Sequence, residues 1–255
     1  MVYIDIHSHL DFEDFDSDRE DLVQEFKQND IKVISNTLNW ENYLHTKDLF
    51  SNAPNIQVSP GLYPQEAEKL NDDEMEEYLS FLRKERDNYI CIGEVGMDGA
   101  HTKEEDLLDL QEKRFRQIIE LAIELNKPLI IHSRKVEGRV IEILREYIEE
   151  RGFRKFVFHC FTGRKKFIKE IRDLKLFASV PLTVLNTESF QILVEVLPVH
   201  QLLVETDSPF LNPRKERNTP LNIIEIYDKI SEIKKLDKLE VKNIIFNNYT
   251  KLFIR

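Results

Sequence analysis

The 255 residues contain two cysteines, Cys91 and Cys160, far apart and each inside an apolar stretch. That leaves neither a disulfide framework nor a CxxC metal site, and both thiols read as reduced and buried. Glycine is scarce, at 7 residues, and no stretch rich in Pro, Gly or Ser divides the chain. One domain over 1–255 is therefore the economical expectation. No run of about 18 apolar residues occurs, which excludes a conventional membrane-spanning helix. The opening MVYIDIHSHLDFEDFD is too acidic, and its apolar part too short, to read as a signal peptide. A cytoplasmic protein without membrane association is expected. Base is also outweighed by acid, with a net charge of -11 and a pI near 5.2. This argues against tight, non-specific binding to a long polyanion, an affinity that Lys and Arg supply. A local basic patch remains compatible with that total.

What is present is a hydrophobic share of 41% beside 33% charged residues, the composition of a globular chain able to bury a sizeable core. Short apolar, β-branched runs alternate with longer segments of helical period, the signature of βαβ units and a parallel sheet. Eight runs read as strands: 2–7, 32–37, 56–61, 89–94, 128–132, 155–159, 176–180 and 201–205. Between them lie DREDLVQEFKQ, DEMEEYLSFLRKER, LLDLQEKRFRQIIELAIEL and EGRVIEILREYIEE, whose apolar residues recur three and four apart with charges on the other face. Two further helical stretches, about 221–235 and 239–252, finish the chain. Eight strands with intervening helices over about 250 residues fit a closed (β/α)8 TIM barrel better than an open, doubly wound sheet.

The polar residues at the strand ends carry the chemistry. His7 and His9 stand at the end of the first strand, and residues two apart on a strand point to one side, so both imidazoles can reach one ion. Glu94 ends the fourth run, His132 the fifth and His159 the sixth, while Asp207 follows the eighth. In a barrel those ends converge on one face. Residues spread over the whole chain thus meet in one pocket. Six N/O donors without Cys point away from a closed structural zinc site and toward two ions with open positions. Two divalent ions held about 3.5–4 Å apart activate a water and clamp the attacking and leaving oxygens of a displacement, so hydrolysis is the expected reaction. Glu94 is the candidate bridging carboxylate, with His7, His9 and Asp207 on one ion and His132 and His159 on the other. Asp207 is the candidate proton carrier between the water and the leaving oxygen. Imidazole with carboxylate suits Zn, Mn or Mg. Glu205 is expected to orient a neighbouring group, and Cys160 and Thr162 to line the pocket.

These segments resemble, in order and nearly end to end, those of the TatD family of metal-dependent deoxyribonucleases. DIHSHLDF is similar to its D-x-H-x-H opening, GEVGMD to G-E-x-G-L-D, KPLIIHSR to x-H-x-R, FHCFTG to H-C-F-[ST]-G, and VETDSPFLNP with RNTP to E-T-D-x-P and R-N-x-P. The resemblance implies the (β/α)8 fold, a divalent-metal site on the matched positions and exonuclease-like hydrolysis of phosphodiesters at DNA ends. Related members act on other esters, including misacylated tRNA. The sequence departs from the pattern twice. Where many members carry a His in G-x-H-P, it has Gly61, Leu62, Tyr63 and Pro64, and Tyr63 offers no cationic phosphate contact. Where an aromatic commonly follows G-L-D, Asp98 is followed by Gly99, Ala100 and His101, and His101 is a candidate for the missing contact.

Cations cluster just past ligand-bearing strands: Arg134 and Lys135, then Arg164, Lys165 and Lys166, then Arg214, Lys215 and Arg217. Arg134 is the main candidate for a phosphate contact. DNA ends are the leading expectation for the substrate, and nothing calls for a protein partner. An ester or amide hydrolase on the same metal pair, such as a deacylase of misacylated tRNA, is the alternative. A non-catalytic nucleic-acid-binding protein would be favoured only if ligands were missing, and all six are present.

Overall fold

The apolar runs become strands because branched side chains fill both faces of a sheet buried between helices and barrel interior. In the computed structural model, which describes residues 2–254, they form β1 (Tyr3–Ser8), β2 (Ile31–Asn36), β3 (Ile56–Ser59), β4 (Ile92–Asp98), β5 (Leu129–Arg134), β6 (Phe156–Phe158), β7 (Phe177–Val180) and β8 (Leu202–Val204). The helices are α1 (Arg19–Gln28), α2 (Trp40–Leu49), α3 (Pro64–Ala67), α4 (Asp72–Glu85), α5 (Glu105–Leu125), α6 (Glu137–Arg151), α7 (Lys165–Asp173), α8 (Glu188–Val196), α9 (Ile223–Lys234) and α10 (Lys238–Tyr249). Local chemistry sets several ends. Asn71 and Glu74 cap α4 reciprocally, and α5 stops where Asn126 turns left-handed at φ 54°. The inner face of α5 presents Phe115, Ile118, Ile119 and Ala122, all essentially buried. Each large side chain of that kind contributes about 1.5–3 kcal/mol by leaving water.

All strand pairings are parallel, in two ladders ordered β1-β2-β3 and β4-β5-β6-β7-β8. Backbone hydrogen bonds close the two seams into a barrel. Between β3 and β4, Gly93 N donates to Pro60 O and Leu62 N to Glu94 O, at 2.9 and 3.0 Å. Between β8 and β1, Asp207 N donates to His7 O at 2.9 Å and His9 N to Ser208 O at 2.7 Å. Further down that second seam side chains replace the missing ladder. Ile4 N donates to the Tyr227 hydroxyl at 3.0 Å, Thr206 N donates to Asp5 at 3.0 Å, and the Asn248 amide donates to Leu202 O at 2.7 Å. A buried amide left unpaired costs about 1–3 kcal/mol, so these side chains hold the barrel shut where strand pairing stops. Both seams join at residues of the candidate metal site.

Most strand limits lie within a few residues of those read from the sequence, but β4 differs in kind. The run 89–94 placed Glu94 at a strand end, whereas β4 continues to Asp98 and holds Glu94 in its interior. The reason is an irregularity in the ladder: Ile92 pairs with Leu129 and Val95 with Ile131, so three steps on β4 oppose two on β5. Such an extra residue re-aims a side chain without ending the strand. β1 repeats the device, with Asp5 opposite Val33 and Ser8 opposite Ser35. The strand can then run past Glu94 because Gly96, at φ 145°, passes so close to β5 that a Cβ would lie 2.0 Å from His132 O. Among the described residues, no helix is long and apolar enough to cross a membrane.

Candidate metal centre

Every residue expected to bind metal reaches one place at the C-terminal mouth of the barrel. His7 is in β1 and His9 just beyond it; Glu94 lies in β4, His132 in β5, His159 immediately after β6, and Asp207 three residues after β8. His7 Nε2 is 3.2 Å from His9 Nε2, and the two lie 3.4 and 3.5 Å from Asp207 Oδ1. On the other side His132 Nδ1 is 3.1 Å from His159 Nε2, and the two lie 3.1 and 3.0 Å from Glu94 Oε2. The second oxygen of Glu94, Oε1, faces the first group, 3.6 Å from His9 and 3.9 Å from His7. One carboxylate thus presents an oxygen to each cluster. Donors bound at about 2.0–2.1 Å to a common ion lie about 2.8–3.4 Å apart when their bonds meet at right to tetrahedral angles. The spacings within each cluster match that chord.

The imidazoles are aimed by what lies behind them. His9 Nδ1 donates to Asn36 O at 3.0 Å, and His132 Nε2 donates to Asp98 Oδ2 at 3.1 Å, which leaves a lone pair on each inward nitrogen. The rings of His7 and His159 stack 4.1 Å apart, and their outer Nδ1 atoms are buried without a hydrogen-bond partner. Glu205 is fully buried. Its oxygens accept from Cys160 N at 2.7 Å and the Ser179 hydroxyl at 2.6 Å, and one lies 3.8 Å from His159 Nδ1.

Burial would push Glu94 toward protonation, but His159, His132 and His7 outweigh it and hold the carboxyl well below its usual range. Burial, reinforced by His159, holds His7 well below the usual imidazole range. An ionised Glu94 and a neutral His7 are the states a cation requires. Burial also opposes charge on His9 and His132, yet Asp207 and Glu94 push the first up to about 9, and Asp98 and Glu94 do the same for the second. A metal ion held by His9 and His132 would take the place of those protons.

The cluster opens into a cleft of about 830 Å³. Arg134 and Lys135, both exposed, line it together with His101, Tyr63, Cys160 and Thr162. The other basic residues are elsewhere: Arg214 pairs with Glu225 and Arg217 with Asp18, away from the cleft lining. Cys91 is buried as expected, whereas Cys160 is partly exposed at the cleft, and both are free thiols. Sequence reasoning passed over three residues. Asp98 accepts from His132, from His101 Nδ1 at 2.7 Å and from the Ala100 and His101 amides at 2.7 and 3.0 Å; a carboxylate closing the apolar strand GEVGMD was the available signal. Phe12 and Phe210 also line the cleft, and only their closeness in sequence to His9 and Asp207 hinted at it.

A closed parallel barrel with imidazole and carboxylate donors gathered at the C-terminal ends of its strands is the arrangement of a metal-dependent hydrolase. The profile of the TatD related DNase family matches residues 4–254, and the chain belongs to that family. It is 30% identical to an uncharacterized metal-dependent hydrolase of Methanocaldococcus jannaschii, over 100% of this chain and 98% of that protein. It is also 30% identical to the human deoxyribonuclease TATDN3, over 98% of this chain and 94% of that one. The crystal structure of YjjV, a TatD homolog from Escherichia coli, superposes with a TM-score of 0.87 at 24% identity, covering 99% and 98% of the two chains.

Proposed function

We propose that the whole chain acts as one cytoplasmic deoxyribonuclease unit that removes nucleotides from DNA ends with two divalent ions, Zn, Mn or Mg. The division of Glu94 between the clusters, Oε1 toward His7 and His9 and Oε2 toward His132 and His159, is the observation that carries this reading. His7, His9 and Asp207 would hold one ion, His132 and His159 the other, and Glu94 both. When bound, such a pair makes water acidic enough to attack at neutral pH and neutralises charge building on a phosphoryl group. The protein supplies the rest. Asp207, beside the first pair of imidazoles, takes the proton of the attacking water on its carboxylate and passes it to the leaving oxygen. Arg134 at the cleft wall contacts a non-bridging phosphate oxygen, where its planar fork suits two parallel hydrogen bonds. Glu205 positions the segment 159–160 by accepting the Cys160 amide. The free thiols of Cys91 and Cys160 support a reducing compartment.

The test is hydrolysis of end-labelled DNA by chelated protein with Mg, Mn or Zn restored, beside Asp207→Asn. Nucleotides should be released from one end only when metal is present, and the variant should lose about 10²–10⁴-fold in turnover. An Asp207→Asn enzyme with full turnover would remove the proton-transfer role. Intact DNA under every metal, with ions demonstrably bound, would move the reading to an acyl or small-molecule ester.

A further inference from the structure

Among the described residues a single Phe, Tyr or Trp side chain falls in the exposed class, Phe210, at 49%. One exposed apolar side chain needs no explanation by itself. Its place does. The ring stands at the mouth of the metal cleft, its centroid 6.2 Å from that of His9. Phe12, itself 5.2 Å from His9, backs it edge-on at 5.6 Å and 85°. The pair forms an apolar wall with one open aromatic face. The backbone of this wall is tied to the site. Phe210 N donates to the carbonyl of Asp207 at 2.9 Å, Asn218 N donates to Pro209 O at 2.9 Å, and the Asn218 amide donates to Thr206 O at 2.8 Å. The segment that carries Asp207 therefore also sets where the Phe210 backbone stands relative to the metal donors.

The same cleft carries a contrasting set of residues associated with β4 and β5, namely His101, Arg134 and Lys135. His101 is anchored through Nδ1 to the buried Asp98 and is otherwise exposed. A ligand that uses both features combines negative charge with a flat, π-faced group, as a nucleotide does. We propose that Phe210, supported by Phe12, is the stacking platform for the nucleobase next to the scissile phosphate, with the phosphates directed toward Arg134. This rests on the phosphodiesterase reading and specifies how its substrate is held. Because every base has a π-face, the platform grips the terminal nucleotide without selecting its identity.

The holo-protein would be titrated with short oligonucleotides whose terminal linkage is a cleavage-resistant phosphorothioate. The terminal position would be 2-aminopurine, an ordinary base or an abasic sugar, placed at either end. Stacking should quench 2-aminopurine at one end only, and removing that base should weaken binding on the order of tenfold. Phe210→Ala should lose the quenching and bind both termini with the weaker affinity, whereas Phe210→Trp should restore both properties. Equal binding of abasic and base-containing ends by the unaltered protein, or unchanged quenching in Phe210→Ala, overturns the platform. Parallel hydrolysis of ordinary linkages keeps the two readings apart. Cleavage without any base effect rejects the platform alone, while stacking without cleavage under any metal rejects the phosphodiesterase reaction. No binding of any oligonucleotide rejects both.

Discussion

Each half of the candidate metal centre brings a pair of imidazoles, but the two pairs are held differently. At the β1/β8 corner, His9 is tethered to a neutral backbone carbonyl, that of Asn36, and Asp207 hangs on the seam through His7 O. At the β4/β5/β6 corner, His132 is tethered to a buried carboxylate, Asp98, and His159 lies near a second one, Glu205. A carboxylate behind a metal-binding imidazole raises its basicity more than a carbonyl does. Asp98 remains ionised for this purpose. Burial would raise it, but hydrogen bonds from His132 and His101 hold it well below the usual carboxylate range. The first corner thus brings a carboxylate donor of its own and neutral support. The second brings two imidazoles and relies on the negative charge of Asp98 behind His132, whereas burial pushes Glu205, near His159, up to about 7. Two ions bound as proposed would be inequivalent, and chelator titration should remove them in two steps.

The largest effect belongs to the residue shared by both corners. Glu94→Gln removes the one negative charge facing both clusters, so both ions should be lost or weakened together. Activity should fall by about 10³-fold or more, since metal-based charge stabilisation is worth several kcal/mol. Elemental analysis of the dialysed variant checks the cause. Two ions retained at full occupancy would show that Glu94 does not bridge. A smaller and one-sided effect follows from Asp98→Asn. It keeps the shape but not the charge behind His132, so the affinity of one ion should fall about 10–100-fold while the ion at His7, His9 and Asp207 is undisturbed. Equal weakening of both steps in the chelator titration would erase the distinction between the corners.

The convergence of the candidate ligands was legible in the sequence because His, Glu and Asp at or near the ends of apolar strands are conspicuous, and barrel geometry brings such ends together. The sequence also made the strand order legible, through period and spacing. What it concealed depends on pairing between distant segments. Glu94 sits inside β4 because three residues there oppose two on β5, a register that no local pattern encodes. Asp98 looked like the end of a motif, and only the fold shows it accepting from His132 and His101. The basic runs read equally well as rim or surface. Ion pairing of Arg214 with Glu225 and of Arg217 with Asp18 takes those two out of the cleft, while Arg134 stays in it.

Tyr63 gives the smallest test of the comparison, since it meets the second corner only through a long bond to Asp98 and the edge of the His132 ring. Its hydroxyl donates to Asp98 Oδ2 at a long 3.4 Å, and its ring packs edge-on against His132 with centroids 5.0 Å apart. Removing the hydroxyl leaves the Asp98 carboxylate with the shorter bonds from His101 and His132. Tyr63→Phe should therefore weaken the second ion by about two-fold at most, the low end of what losing an ordinary hydrogen bond of about 0.5–1.5 kcal/mol implies. Tyr63→Ala also takes away the ring and should cost more, because His132 then loses the wall that fixes its plane. If the Phe variant were as damaged as Asp98→Asn, the hydroxyl rather than the two histidines would be holding Asp98, and the support of this corner would run through the position where this chain departs from its family's pattern.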